Sequence, residues 1–432
     1  MILLVGMRGV KKMNKKAVFG WTMYDWANSA FATTIMAAVL PIYFMDVAGK
    51  NLEGNTATAY WGYTQSIGML LVAFLAPILG AMADYSRAKK RFLSVFILIG
   101  SISSILLFFT GEGQYLWVSG LYILGMIGFS GGNIFYDAFL PEIVPQKEMD
   151  YVSAKGYSYG YIGGGLLLLL NIAMIMKPAL FGIPDTLTAT RLSFLSVGIW
   201  WLLFSTPFFL YVKEDRSTAK KEVNTKAYVS VAITRVTATF KEIKRYQELL
   251  KFLIAFWLYN DGISTIIKMA TIYGKEIGIG TNDLIIALLI TQFVGFPLTI
   301  VFGKLAGKIG SKNSLYLSLW MYVVIVVIGY FMQSAIHFYL LAAAVGLVQG
   351  GSQAISRSIF GSMVPKTKSA EFFGFFGISS KFSAIFGPFI FGLVGQLTGS
   401  SRYGIVSLVI FFLVGIWILT KVDIEKGQRE AL

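Results

Sequence analysis

The sequence predicts an all-α integral membrane protein, with about twelve transmembrane helices arranged as two pseudo-symmetric six-helix bundles. Three observations predict this. Hydrophobic residues make up 56% of the 432-residue chain against 14% charged, and the mean hydropathy is +0.68. A soluble domain carries about 25% charged residues. Apolar runs of bilayer length, roughly 20 residues each, recur along the whole chain, whereas the short alternating segments of a transmembrane barrel are not visible. Finally, segments of the first half return at matching places in the second.

Residues 1–17 read as a cytoplasmic tail. The opening run 1–6 is too short for a signal-peptide core and leads into Arg8, Lys11, Lys12, Lys15 and Lys16, with Met7 and Met13 as alternative starts. Spans near 18–44, 58–83, 92–110, 115–140, 156–176 and 191–212 build the first bundle, residues 18–212. Residues 213–248 form the longest polar connection, with about ten basic residues facing an anionic leaflet. Within it Val229, Ile233, Val236, Phe240 and Ile243 keep a helical period, with Lys241, Lys244 and Arg245 on the other faces. This pattern predicts an amphipathic helix on the membrane surface; a plain basic linker and a docking site are the alternatives. Spans near 249–273, 283–303, 314–333, 336–360, 372–395 and 402–420 build the second bundle, residues 249–420. Residues 421–432 form a second tail.

The formal net charge is +15. The basic residues form no single patch, so nucleic acid is not an expected partner. With the N-terminus inside, the cytoplasmic loops collect roughly 29 of the Lys and Arg and the outer loops about five. Both termini are therefore expected in the cytoplasm, with the chain in the plasma membrane. There is no cysteine and a single histidine, which argues against disulfides and against a zinc or haem site. Neither a His-Asp-Ser set nor a GxxxxGK[ST] phosphate loop is present, so neither an enzyme nor an ATP-driven pump is expected. No cofactor is implied.

The repeat is clearest in the fourth and tenth spans. The segment from Gly131 through Asn133 and Asp137 to Pro145 aligns without a gap on the segment from Gly351 through Gln353 and Arg357 to Pro365. The loop from Gly80 to Lys90 is echoed by the loop from Gly303 to Lys312, with Gly307 standing where the first copy has Asp84. Halves that repeat with the same in-out direction are related by an axis along the membrane normal, with substrate bound near the midplane between them.

The loop with Gly80, Asp84, Arg87, Lys89 and Lys90 resembles the signature of the major facilitator superfamily, with Ala88 where a glycine is usual. Within it, the run Tyr24-Asp25-Trp26-Ala27-Asn28-Ser29-Ala30-Phe31 resembles one branch, that of the fungal vacuolar amino-acid effluxers and their bacterial relatives. So do Tyr259-Asn260-Asp261-Gly262, Gly374 and Gly377 with Lys381, and Gly387-Pro388. The resemblance runs from about residue 17 to 421 and implies the major facilitator fold and a transport role. A secondary resemblance, through Asp25 and Leu140-Pro141-Glu142, is to cation-coupled sugar symporters. Their acidic pair on the second span is missing here.

Charged residues inside spans are costly and face a bundle interior or a water-filled path. Asp25 and Asn28 are three apart and share a helix face. With Asn260, Asp261, Lys268 and Lys381 they offer both signs of charge for a zwitterion, or a carboxylate for a coupling ion, proton or Na+. Pairing for folding is the alternative. Tyr24, Trp26 and Tyr259 are candidate cavity aromatics; Gln65, Asn133, Gln292, Gln349 and Gln353 are further cavity candidates. Asp137 and Arg357, with Asp84, Arg87, Glu142 and Glu371, predict an ionic latch at the cytoplasmic mouth. The expected function is secondary transport of a small polar solute, with a zwitterion such as an amino acid as one candidate and export as one of the two directions left open. Cation-coupled sugar or organic-ion symport and export of lipid or apolar compounds are the alternatives, and a channel is disfavoured. The expected partners are a small-molecule substrate and the lipid bilayer, and the chain is expected to be a monomer.

Overall fold

The structure, a computed structural model, describes residues 14–52, 56–86, 88–214, 245–382 and 386–431. The first bundle comprises α1 (Lys15–Ala48), α2 (Thr56–Ser86), α3 (Lys89–Leu107), α4 (Tyr115–Ala138), α5 (Met149–Met176) and α6 (Thr186–Tyr211). The second begins with α7 (Gln247–Glu276), α8 (Thr281–Ile309), α9 (Ser311–Tyr330) and α10 (Ala335–Ser362). It continues through α11 (Ser369–Phe382), α12 (Phe386–Thr398) and α13 (Ser401–Thr420), and a short α14 (Ile424–Glu430) follows. Eleven of the described helices are long and apolar enough to cross a bilayer. The remaining predicted span, 372–395, is occupied by α11 and α12. The predicted amphipathic helix and the alternative starts Met7 and Met13 lie outside the described residues.

Several helix starts are set by side chains that accept otherwise orphaned backbone N–H groups. Asn14 accepts from Lys16 and Ala17 at the start of α1, and Asp185 accepts from Thr188 at the start of α6. The Thr188 N–H and hydroxyl hold the exposed Asp185 carboxylate below its usual range. Long α1 is not uniform. Its backbone widens to π-helix at Phe31–Ala38 and again at Phe44–Ala48, on either side of Pro41, which has no N–H to offer the preceding turn.

The packing repeats between the halves. In the first bundle α3 packs on α4 and α6, and α1 on α5 and α6; in the second α8 and α9 pack on α10, and α7 on α13. Two equivalent seams join the bundles, α2 against α11 and α5 against α8, and α5 also touches α10 as α11 touches α4. The loop lysines repeat as well. Lys90 Nζ donates to the carbonyls of Phe209, in the last turn of α6, and Val212, just past it, at 2.9 and 2.8 Å. Lys312 Nζ does the same for Thr420, the last residue of α13, and Val422 beyond it, at 3.2 and 2.6 Å. A cation there satisfies terminal carbonyls and opposes the helix dipole.

The buried core is built from large aromatic side chains such as Trp21, Trp201, Tyr122 and Tyr322. Leu70, Phe74, Leu210, Leu340 and Trp417 point outward and are exposed, as a lipid-facing surface requires. The first and last described segments, the start of α1 and α14, lie toward one face, here called the terminal face. Trp21 near the start of α1 meets Arg357 near the end of α10, and Gly427 of α14 abuts Met363 just beyond it.

Candidate functional site

A cavity of about 320 Å³ lies between the bundles. Carboxamides dominate its polar wall: Asn28, Asn133, Asn260, Gln292, Gln349 and Gln353 all line it. Phe129, Tyr161, Phe256 and Phe376 supply flat apolar surface. A few polar groups fixed on a mostly preformed wall are what a small-solute site needs. Asn28 Nδ2 donates to Asn133 Oδ1 at 2.6 Å, which locks both amides in one orientation. Gln65 lies elsewhere, accepting from the Tyr122 hydroxyl at 2.7 Å.

Arg357 closes the cavity toward the terminal face, and it is 2% exposed. Its Nη1 donates to Asp137 Oδ1 at 3.0 Å, and both Nη atoms approach Asp25 Oδ2 at 3.4 Å. Its Nε donates to Ser153 Oγ at 2.9 Å and its Nη2 to the Ser153 carbonyl at 2.8 Å. The guanidinium carbon stands 4.2 Å from the Tyr157 ring centre and 4.8 Å from that of Trp21. Asp25 Oδ2 also accepts from the Tyr136 hydroxyl at 2.6 Å, and Trp21 Nε1 donates to the Tyr136 carbonyl at 3.0 Å. A buried ion pair holds only when its remaining lone pairs and protons find partners, and here Nε, Nη1 and Nη2 of Arg357 are all engaged. Gly156 makes room for it: a Cβ there would stand 2.7 Å from Trp21 and 3.0 Å from Arg357 Nη2.

A second ionic group joins α2 and α3 to the start of α11. Lys89 Nζ lies 2.9 Å from Asp84 Oδ1, pairs with Glu142 and donates to Ser369 Oγ at 2.7 Å. The Glu371 backbone N–H at the start of α11 donates to Asp84 Oδ2 at 2.8 Å, so this carboxylate also caps a helix dipole. Gly80 lets α2 lie against the backbone at Ala370, where a Cβ would overlap the carbonyl. Arg87 lies outside the described residues.

The remaining sequence candidates disperse. Asp261 is turned from the cavity toward α12, where its Oδ1 accepts from the Gly387 N–H at 2.9 Å. Lys268 is exposed on α7. The Lys381 backbone is helical in α11, and its side chain lies outside the described residues. Tyr24 is buried against Tyr136 and Phe208, and Trp26 stacks on Trp200 at 5.8 Å. The Tyr259 hydroxyl shares a hydrogen bond with Ser356 Oγ at 2.7 Å. None of these six is among the residues lining the central cavity.

Trp21, Tyr136, Ser153 and Tyr157 were not legible as site residues. Helical spacing held the available signal: Trp21 lies four before Asp25, and Tyr157 four after Ser153, so each pair shares a face.

Comparison with known proteins agrees with this geometry. A family model described as "Vacuole effluxer Atg22 like" matches residues 13–432. The chain is 40% identical to the uncharacterized MFS-type transporter YxiO of Bacillus subtilis, over 95% of this chain and 97% of that one. It is 24% identical to autophagy-related protein 22 of Kluyveromyces lactis, over 96% and 95% of the two chains. Among solved structures it resembles the human organic anion transporter MFSD10, with a TM-score of 0.70 at 12% identity, covering 94% of this chain and 99% of that one. The proton:xylose symporter XylE follows at a TM-score of 0.67 and 16% identity, covering 94% of each. A twelve-helix repeat fold, a polar cavity between its halves and a family match over nearly the whole sequence lead to one assignment: the chain belongs to the Atg22-like family of major facilitator secondary transporters.

Proposed function

We propose that this transporter carries a small zwitterionic solute of amino-acid type out of the cytoplasm by alternating access, with a proton as coupling ion. One observation carries the reading: a carboxamide-lined cavity between the bundles ends at Asp25, Asp137 and Arg357, which offer both charge signs. Asn28 and Asn260 line the cavity from the two bundles and orient a solute by hydrogen bonds that carry no net charge. The ionic groups at Arg357 and at Lys89 act as the latch of the terminal face. Arg357 reaches across to Asp25 and Asp137, and Lys89 and Asp84 reach across to Ser369 and the Glu371 N–H, so parting the bundles breaks both sets of contacts together. The excess of Lys and Arg in the loops on the terminal face supports a cytoplasmic orientation for that face. Similarity to vacuole effluxers supports export as the direction.

The test is counterflow in proteoliposomes. Protein reconstituted with an unlabelled amino-acid mixture inside should accumulate labelled amino acids from outside, saturably and faster with an imposed proton gradient. Absence of counterflow for every amino acid tried, with sugars or organic anions moving instead, would overturn the reading.

A further inference from the structure

Arg357 belongs to the second bundle, yet the groups around its guanidinium belong to the first. Trp21 and Asp25 come from α1, Tyr136 and Asp137 from α4, and Ser153 and Tyr157 from α5. The first bundle therefore holds a complete box: two carboxylates and three aromatic rings arranged around a flat cation. Two carboxyl groups share the one guanidinium. Asp25, Tyr136, Asp137 and Tyr157 also line the central cavity, so its rim is already within reach of a solute there.

We propose that this box is a binding site for an organic cation, an alkylammonium or guanidinium group of the transported solute, entered when Arg357 withdraws with its bundle. The proposal rests on the transporter reading and deepens it by naming the group that is read. Aromatic faces attract an organic cation through the ring quadrupole, and the carboxylates add charge-assisted hydrogen bonds. Parting the bundles without a replacement cation gives up the Arg357 pairs and leaves two neighbouring carboxyl groups facing each other with no counter-charge, which is unfavourable. The empty carrier is thereby held shut, and a cation-bearing solute replaces the internal arginine and lets the halves separate. Arg357, once freed, is available to a carboxylate at the other end of the solute.

The test uses full-length protein as wild type, Arg357→Ala and the triple variant Asp25→Asn/Asp137→Asn/Arg357→Ala. Guanidinium chloride or methylammonium chloride is titrated to about 20 mM at ionic strength held constant with sodium chloride, and Tm is read at each step. Arg357→Ala should show a saturable rise in Tm over the sodium control. The wild type, whose box is filled, and the triple variant, whose carboxylates are neutral, should not. No saturable rise in Arg357→Ala, or an equal rise in the triple variant, overturns the site. If Arg357→Ala fails to fold, guanidinium in the purification buffer should restore its yield while the triple variant folds without it, and failure to restore it overturns the proposal. A solute carried by the wild type that bears no cationic group would also overturn the cation site while leaving the transporter reading intact.

Discussion

Asp137 and Arg357 occupy the same position in the two repeats, and they touch each other, with Nη1 to Oδ1 at 3.0 Å. Equivalent residues meet directly only near the axis that relates the halves, so this pair marks that axis. The repeat has diverged there into opposite charges, and what symmetry would make a like-charge clash is an ion pair between bundles.

Reversing either charge alone should abolish counterflow and lower stability by about 3–5 kcal/mol, since each leaves buried charge unpaired. The double variant Asp137→Arg/Arg357→Asp should recover most of the stability and part of the transport. Thermal unfolding in detergent with parallel counterflow checks this; no recovery in the double variant refutes direct pairing as the basis of closure.

Asp84→Asn should loosen the terminal face, because it weakens the cap on α11, the contact by which this carboxylate reaches the other bundle. The chain has no cysteine, so a single Gln353→Cys in the cavity wall gives a clean probe. In sided membrane vesicles its maleimide labelling from the terminal face should rise about tenfold for each 1.4 kcal/mol taken from the closed state. An unchanged labelling rate would show that this group does not hold the face shut.

Gly156→Val should be among the most damaging small substitutions. Its side chain would enter the space of Asp25, Trp21 and Arg357 together, and overpacking of this kind costs about 1–3 kcal/mol. The expected result is a lower Tm and lost transport. Gly392→Val, in α12 where a Cβ meets nothing within 4 Å, should be close to neutral.

Asp261 anchors helices in this structure, so the acceptor oxygen matters more there than the charge. Asp261→Asn should keep the bond from the Gly387 N–H and retain most counterflow, whereas Asp261→Leu should lose about 1–3 kcal/mol through an unsatisfied buried N–H. If Asp261→Asn is as inactive as the leucine variant while folding normally, the carboxylate takes part in transport itself.

Glu248 ties α14 to the terminal face. Its carboxylate accepts from the Asp423 N–H at 2.9 Å, from Lys426 at 3.1 Å and from Lys251 at 2.9 Å. Glu248→Ala should lower stability by about 1–3 kcal/mol and expose residues 424–432 to carboxypeptidase. Limited proteolysis read by mass spectrometry checks the second part, and an unchanged C-terminus would mean that the Gln428 Nε2 bond to Ser362 Oγ, at 3.2 Å, and the packing of Gly427 on Met363 suffice to hold the helix.

Much of the fold was legible because its causes are local. Span length and loop charge follow from the solvent the chain lives in, and the offset between Pro145 and Pro365 already paired Asp137 with Arg357. Asp25 and Asn28 line the same cavity because three residues bring a helix almost full circle. Asn260 and Asp261 are adjacent, about 100° apart around the helix, so only one of them faces the cavity. Sequence period fixes such relative angles within a helix. It says nothing about how each helix is rotated against its neighbours.

By itself, then, the sequence determined the membrane class, the repeat and the equivalence of Asp137 and Arg357. Only the tertiary structure decided that Asp25 joins that pair inside an aromatic box, that Asp261 turns to the Gly387 backbone, and that Asp84 caps α11. Those outcomes depend on contacts between helices more than a hundred residues apart, where helix rotation and axial offset choose the partner.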